Sequence, residues 1–381
     1  MDEIEQQRES WRQKAREAAK SFVAPRAAGI DAKGEFPWDI AKVIGQQGFL
    51  SLLAPKEYGG QEADITSFCF VVDEISYFCV SSALLIVAHT VGMMPIILVE
   101  TKALKESVLT KAVKEKALFC FCLTEPEAGS DAASIRTKAI LRGDHYLLNG
   151  RKCFITNGGV SDFYTIFAVT NPEEKIERIS GFVVEKGTPG LSIGKTEEKM
   201  GIRGSSTTEV VLENVRVLVA QRIGEEGVGW WLMMRTLNRS RPAIGALAVG
   251  VARGALDYVI RFSQERGWAD CKDNALGIPF ILADMAIEIE AARALVYKAA
   301  GMMDEKVKGT PVQMYSAMSK YFASDVAMKV TTNAVQVMQW HGLVQDHPVE
   351  RMMRDAKVIQ IFEGTNQIQR MVVAHTLLKS K

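Results

Sequence analysis

The stretch that decides the fold is HYLLNGRKCFITNGG, residues 145–159. It is short, contains aromatic and β-branched residues, and ends in paired glycines, a composition typical of β-strands. Asn149–Gly150 predicts a two-residue hairpin turn inside it, because both residue types accept a positive φ. Similar short segments run from Leu118 to about Leu218 with no helical period between them. We therefore predict a middle domain, residues 117–225, built as an antiparallel β-barrel or sandwich.

On both sides of this segment, the chain has the apolar spacing of amphipathic helices. Turn residues divide residues 1–116 into about five helices. Residues 226–381 contain several long helices, and the first of them is either one helix or two joined near Pro242. Long antiparallel helices form bundles. The predicted fold class is α+β, with an N-terminal α-helical domain, a middle β-domain and a C-terminal four-helix-bundle domain.

The composition excludes several classes of function. The 381 residues are 48% hydrophobic and 24% charged, with 46 basic and 45 acidic side chains and a net charge of +1. Such a balance argues against nucleic-acid binding and against capture by an anionic membrane. The longest apolar stretch, residues 82–99, is interrupted by His89, Thr90 and Pro95, which predicts a buried helix rather than a membrane span, with His89 as a core histidine.

The six cysteines have neither metal-ligand spacing nor the pattern of a disulfide framework. The charged N-terminus shows no secretory signal. We therefore expect a cytoplasmic enzyme without a metal site, or a mitochondrial matrix enzyme if the source is a eukaryote. Its function is expected to reside in a specific pocket.

Three segments carry candidate chemistry: LTEPEAGSD at residues 123–131, CFITNGG at 153–159, and RMMRDAKVIQIFEGTNQIQR at 351–370. Taken singly, the first two are also common as capped loops and hairpin ends. In the third, Glu363 follows an apolar run and precedes a glycine. Desolvation there raises a carboxylate pKa and suits a general base. By composition alone, a helix-capping or ion-paired glutamate is the more common interpretation.

Together and in this order, the three segments resemble the acyl-CoA dehydrogenase family. The resemblance extends over nearly the whole chain through FVAPRAAGIDAKGEFP, LLAPKEYGG, NGRKCFITNG and KMGIRGSSTTEVVLENVRV. It implies FAD-dependent α,β-dehydrogenation of an acyl-CoA thioester to the 2,3-enoyl-CoA. Glu363 would be the α-proton base, and the β-hydride would pass to flavin N5. Some relatives place the base on the first long C-terminal helix, but the matching position here is Ser240, which leaves Glu363 as the candidate.

The resemblance also assigns binding residues. Ser130 would lie near the pantetheine or the FAD pyrophosphate, and Arg241 would support CoA or the active-site helix, although a structural ion pair is an equally common role for it. Phe362 and Gly364 would contact substrate. The remaining residues implied for FAD are Phe121, Leu123, Thr124, Phe154, Thr156, Arg266, Gln336, Thr365 and Gln367. An electron-transferring flavoprotein as electron acceptor and a homotetramer are implied in the same way.

The chain departs from the family pattern at the adenine side of FAD. Where the family has R-x-x-F-G, this chain has Arg266-Gly267-Trp268-Ala269-Asp270, and Leu276 replaces a glutamine. Gln339 and Trp340 replace a glycine pair that lets the backbone approach the dinucleotide. An acid near two phosphates is unfavourable. Two alternatives to the dehydrogenase therefore stay open: a flavin-independent lyase or hydratase on a CoA ester, and a non-catalytic subunit of a heteromeric dehydrogenase.

The acyl group is only partly defined by the sequence. Between Ala27 and Ile135 there is no arginine, whereas relatives that act on dicarboxylyl-CoA thioesters place a carboxylate-binding arginine in that helical region. This absence favours a monocarboxylic or cyclic acyl group.

Overall fold

Helices occupy both ends of the chain and strands its middle, in a computed structural model that describes residues 3–174, 177–267, 277–307 and 309–379. Within these ranges the helices are α1 Glu3–Ala18, α2 Ala27–Lys33, α3 Trp38–Gln46, α4 Ile65–Ser76, α5 Val80–Leu98, α6 Lys102–Glu115, α7 Gly229–Glu265, α8 Ile278–Asp304, α9 Thr310–Met338, α10 Val349–Ile359 and α11 Asn366–Lys379. The strands are β1 Phe119–Cys122, β2 Lys138–Arg142, β3 His145–Thr156, β4 Phe163–Val169, β5 Ile179–Glu185, β6 Leu191–Thr196, β7 Thr207–Leu218 and β8 Arg222–Ile223. The predicted α+β class and its helix–strand–helix order are confirmed.

The strands form one connected sheet in the order β6-β7-β3-β2-β4-β5-β8, with β1 beside β4. Most pairings are antiparallel, as predicted, while β1 and β2 both run parallel to β4. β2 meets β4 where Lys138, the first residue of β2, lies opposite Val169, the last residue of β4. The two halves of the sheet enclose their own core, in which Tyr146, Tyr164 and Phe182 are buried. The middle domain is therefore a folded sheet with a sandwich-like interior.

The hairpin predicted at Asn149–Gly150 is wrong. β3 runs through both residues, and the tight turn lies six residues earlier, at 143–144, between β2 and β3. The pairing of β3 with β7 changes register between Leu148 and Gly150, so Asn149 lies at a bulge. A Cβ on Gly150 would come within 2.8 Å of the Thr137 backbone, so close strand approach requires glycine here. A residue pair that suits a turn also suits a bulge.

α5 and α7 form the centre of the molecule. α7 is one helix with Pro242 inside it, which decides between the two alternatives left by the sequence. Both helices are long and apolar enough to cross a membrane, but 94% of the apolar window of α5 and 78% of that of α7 is buried inside the protein. They are therefore core helices of the fold.

His89 attaches α5 to the β-domain. Its Nδ1 accepts a hydrogen bond from the Phe119 backbone N–H at 3.2 Å, and its Nε2 lies 2.7 Å from the Leu50 carbonyl oxygen. Burial lowers the pKa of His89 to about 4, so the ring is neutral. The prediction of a core histidine is confirmed.

A buried ionic contact attaches the N-terminal helices to the C-terminal bundle. Asp73 on α4 pairs with Arg253 on α7 at 2.6 Å and accepts a hydrogen bond from the Tyr297 hydroxyl on α8 at 2.8 Å. α9 packs against α7 and α8, and α10 and α11 pack against α9. The loop between α10 and α11 is thereby held against both α7 and α9.

Candidate active site

Glu363 lies in the loop between α10 and α11, where it faces α7. The hydroxyl of Ser240 on α7 donates a hydrogen bond to Glu363 Oε2 at 3.0 Å. Arg241, the next residue, is 5% exposed and donates from Nη1 to Asn238 Oδ1 at 2.7 Å. Its Nε has no hydrogen-bond partner among the described residues. α7 therefore presents a hydroxyl and a buried cation to the glutamate.

The electrostatics of this group favour a carboxylate whose pKa lies above the usual range of a glutamate. Burial raises the pKa of Glu363, and the Ser240 hydrogen bond and the charges of Arg241 and Lys320 oppose that rise. Burial likewise lowers the pKa of Arg241 to about 10, while the charge of Glu363 opposes the decrease. A desolvated carboxylate beside two cations is a suitable general base.

The backbone at Glu363 is in an unusual conformation. Glu363 has φ +56° and Gly364 has φ +86°, so two consecutive residues are left-handed. A non-glycine residue adopts this region at a cost, and such residues are concentrated at functional sites. The backbone N–H of Glu363 has no hydrogen-bond partner within the described parts of the chain. It is a free donor beside the carboxylate.

A second group of predicted residues lies together on the β-domain. The Cys153 backbone N–H donates to the Thr124 carbonyl oxygen at 2.9 Å, which joins the LTEPEAGSD loop to the end of β3. Phe154 is consequently next to this loop, at φ +55°, with 62% of its surface exposed. Thr156, at the end of β3, is half-buried, and Phe121 and Leu123 line the adjoining part of the domain core. This group combines an exposed aromatic face with two threonine side chains.

The LTEPEAGSD loop is braced by a buried ion pair. Lys152, which is 0% exposed, contacts Glu125 Oε1 at 2.7 Å and donates to the Leu123 carbonyl oxygen at 3.1 Å. Glu125 also accepts hydrogen bonds from the Arg136 and Thr137 backbone N–H groups. Beyond this braced part, Ser130 is exposed. The loop is therefore rigid where it meets β3.

Other predicted residues surround Glu363 in sequence but differ in exposure. Phe362 and Gly364 are half-buried neighbours of the glutamate, and Phe362 packs on the helical core. The Thr365 hydroxyl accepts a hydrogen bond from the Ile368 backbone N–H at 3.3 Å and caps α11. Gln367 is exposed on the first turn of α11. A helix-capping role for Thr365 therefore accompanies its predicted role in binding.

The residues predicted at the adenine side lie elsewhere. Gln336 is near the end of α9, about 24 Å along the helix from Lys320, the α9 lysine beside Glu363. The Arg266 guanidinium lies over the Phe262 ring, 4.6 Å from its centroid. Trp340 is 71% exposed. Asp270 and Leu276 lie outside the described residues. Along α9, the structure thus separates Gln336 from the Glu363 group.

Gln339 occupies a backbone conformation suited to glycine, with φ +53° and ψ −133°. We expect Gln339→Gly to increase the free energy of unfolding by about 1 kcal/mol, because the strain of an L-residue in this region is removed. Urea unfolding followed by circular dichroism measures the change. Lys329→Gly, at an exposed position within α9, is the control and should lower stability by a similar amount. A loss of stability in Gln339→Gly would contradict the expectation.

One side chain that contacts the Glu363 loop, Lys320, carries no motif that singles it out. Lys320 Nζ donates to the Gly364 carbonyl oxygen and to Asn366 Oδ1, both at 2.9 Å, and Gln369 Nε2 donates to the Gly364 carbonyl oxygen at 2.9 Å. The one available signal was a lysine among the small residues of SAMSKYFAS, residues 316–324. A lysine on the packed face of a helix requires a buried partner.

Models of a single family match the chain in three consecutive parts. The acyl-CoA dehydrogenase N-terminal domain matches residues 5–116, the middle domain residues 120–215, and the C-terminal domain residues 227–378. Members of this family are FAD-dependent.

Individual proteins are similar over their full length. The chain is 44% identical to the probable acyl-CoA dehydrogenase FadE25 of Mycobacterium tuberculosis, over 99% of this chain and 96% of that protein. It is 44% identical to the cyclohexane-1-carbonyl-CoA dehydrogenase of Geobacter metallireducens, over 96% and 95%. The structure of butyryl-CoA dehydrogenase from Megasphaera elsdenii matches with a TM-score of 0.94 at 37% identity, over 100% and 99%. The chain belongs to the acyl-CoA dehydrogenase family and is an oxidoreductase that acts on CH–CH bonds.

Proposed function

We propose that Glu363 is the base that removes the α-proton in the dehydrogenation of an acyl-CoA to the 2,3-enoyl-CoA. The observation that carries the proposal is its setting: a half-buried carboxylate, hydrogen-bonded by Ser240 at 3.0 Å and beside the buried Arg241. Burial raises the pKa of Glu363 and strengthens it as a base. Full-length similarity to dehydrogenases favours this activity over a lyase or a non-catalytic subunit.

Each neighbour of Glu363 has a part in the reaction. Ser240 orients the carboxylate, and Arg241 favours its ionised form, which is the form able to accept a proton. The free backbone N–H of Glu363 is suited to donate to the thioester carbonyl oxygen, where negative charge develops as the α-proton leaves. The same residue would therefore remove the proton and stabilise the resulting enolate.

The β-domain residues fit the flavin of FAD. Phe154 offers an exposed aromatic face, and the hydroxyls of Thr124 and Thr156 have no hydrogen-bond partner in the part of the chain that the structure describes. Phe121 and Leu123 would complete an apolar wall. We propose that these residues hold the ring, with Ser130, Thr365 and Gln367 at its margins. When bound, FAD supplies the acceptor for the β-hydride.

The positions of Arg266 and Gln336 support a shared site. Gln336 is about 24 Å along α9 from Lys320, which lies beside Glu363. We therefore propose that Arg266 and Gln336 contact the FAD that is bound mainly by a second copy of the chain.

Exposed apolar side chains on α8 and α11 support burial against other copies, among them Phe280 at 79% and Leu378 at 82% exposure. We propose a homotetramer with an electron-transferring flavoprotein as acceptor. Native mass spectrometry of the holoenzyme would report four chains and four FAD.

The proposed substrate is a monocarboxylic or cyclic acyl-CoA, since residues 28–134 contain no arginine to pair with a second carboxylate. We expect butyryl-CoA and cyclohexanecarbonyl-CoA each to be converted to a product two mass units lighter, with an artificial electron acceptor present. Glutaryl-CoA should have a kcat/KM at least about tenfold lower, because its distal carboxylate would be buried without a partner. Mass spectrometry of the acyl-CoA pool measures the products. A preference for glutaryl-CoA would contradict this specificity.

We also propose the domain boundaries and the location of the protein in the cell. We place the domain boundaries at 1–116, 117–225 and 226–381, supported by the end of α6 at Glu115 and the start of α7 at Gly229.

We propose a cytoplasmic location, or the mitochondrial matrix in a eukaryote. The five cysteines described by the structure are free and buried, which suits a reducing compartment.

A further inference from the structure

Lys320 is buried in the middle of α9, directly behind the loop that carries Glu363. Its side chain is 0% exposed. The ammonium donates to the Gly364 carbonyl oxygen at 2.9 Å and to Asn366 Oδ1 at 2.9 Å. Burying a cation is costly unless hydrogen bonds and nearby charges compensate it. An apolar side chain here would make neither of these two hydrogen bonds to the loop.

Both hydrogen bonds of Lys320 act on the strained turn. Glu363 and Gly364 are left-handed, and Gln369 Nε2 donates to the carbonyl oxygens of both, at 3.3 and 2.9 Å. Asn366, which receives the second Lys320 hydrogen bond, is itself fixed by Ser324 at 2.9 Å. The turn is therefore held from α9 by Lys320 and from α11 by Gln369, and the direction of the Glu363 side chain depends on both.

The charge of Lys320 acts on the same carboxylate. The charged groups whose fields act on Lys320 are Glu363, Arg241 on α7 and Asp325 on α9. Burial lowers the pKa of Lys320 to about 7, and the two acids oppose that decrease. In its protonated form, Lys320 lowers the pKa of Glu363 alongside Arg241. Positive charge behind the turn thus favours the ionised base.

We propose that Lys320 is a positioning residue for the dehydrogenation: its ammonium holds the left-handed Glu363–Gly364 turn and favours the ionised Glu363 carboxylate. The inference rests on the proposed role of Glu363 as the base. Lys320 acts through Glu363 and does not contact the substrate.

The test compares two variants at this position in the FAD-loaded enzyme. Lys320→Met removes the hydrogen bonds and the charge. We expect its kcat to fall about 100-fold because the base is misplaced, with KM changed far less. The acid limb of its kcat/KM profile should move to higher pH by about one unit, since a neighbouring cation is lost. Lys320→Gln keeps a donor without the charge, and should retain more of kcat but show the same shift of the acid limb.

Lys329→Met is the matched control, since Lys329 is an exposed lysine on the same helix, paired with Glu288. Its kcat and pH profile should equal those of the wild type. A lower thermal midpoint with an unshifted acid limb in both Lys320 variants would overturn the inference, because it is the result of a purely structural role. If Lys320→Met does not fold, the inference is tested by Lys320→Gln alone: a shifted acid limb supports it, and an unshifted one overturns it. An active Glu363→Gln enzyme would instead refute the proposed base, whatever the Lys320 variants do.

Discussion

Glu363→Gln is expected to lower kcat by about 1,000-fold, within the range that general-base catalysis contributes. The amide has nearly the shape of the carboxylate and still accepts a hydrogen bond from Ser240, but it does not take up a proton. FAD content and KM for the acyl-CoA should stay near the wild-type values. Steady-state kinetics with an artificial electron acceptor, together with the flavin absorbance of the purified protein, measure the effect.

The matched control for this variant is Ser240→Ala. It removes the 3.0 Å hydrogen bond to Glu363 and leaves the carboxylate in place. Because that bond stabilises the ionised form, its loss raises the pKa of Glu363 further. Activity should then decline at a higher pH than in the wild type, with a kcat loss of less than about tenfold at high pH, well below the range for loss of a general base. A Glu363→Gln enzyme with more than one tenth of wild-type kcat would refute the assignment of the base.

The pH dependence of the wild type follows from the same residue. Glu363 must be ionised to accept the α-proton, so activity decreases as the pH falls through its pKa. Burial raises that pKa above the usual range of a glutamate. The acid limb should therefore lie at a higher pH than expected for an exposed carboxylate.

Lys152→Met is expected to lower the free energy of unfolding by about 3–5 kcal/mol, because it leaves the buried Glu125 carboxylate without its cation. The pair is almost fully buried, with 0% of the Lys152 side chain and 7% of that of Glu125 exposed. Loss of the Lys152 hydrogen bond to Leu123 would also loosen the loop beside Phe154. Urea unfolding measures the stability, and extracted FAD per chain measures the effect on the loop.

Two comparisons make this prediction specific. Lys195→Met removes a pair with Glu197 in which the lysine is exposed, and it should cost less than about 1 kcal/mol. Lys152→Met combined with Glu125→Gln removes both buried charges and should recover part of the loss. If Lys152→Met were no more destabilising than Lys195→Met, the pair would not brace the loop.

The layout of helices and strands could be predicted from sequence because the period of apolar residues differs between them. Local turn chemistry was less informative. Asn149–Gly150 has the residues of a hairpin turn, but β3 continues through it as a bulge, and the turn formed at 143–144 instead. A positive φ is needed in both structures, so the dipeptide alone does not distinguish them.

The candidate site was predictable where its residues lie in contiguous motifs. Glu363 and the group around Phe154 belong to such motifs, and the structure brings the members of each group together. Lys320 was not predictable, because its partners lie 44 and 46 residues further along the chain. The glycine-like conformation of Gln339 was also invisible, since it belongs to the backbone rather than to the side chain.

The central claim is that Glu363 removes the α-proton in a flavin-dependent dehydrogenation. Its most direct test is anaerobic mixing of the FAD-loaded enzyme with one equivalent of butyryl-CoA or cyclohexanecarbonyl-CoA per FAD, followed by flavin absorbance. We expect rapid loss of the oxidised flavin band in the wild type, and none on the same timescale in FAD-loaded Glu363→Gln. Equal bleaching in both proteins, or none in the wild type with either substrate, would contradict it.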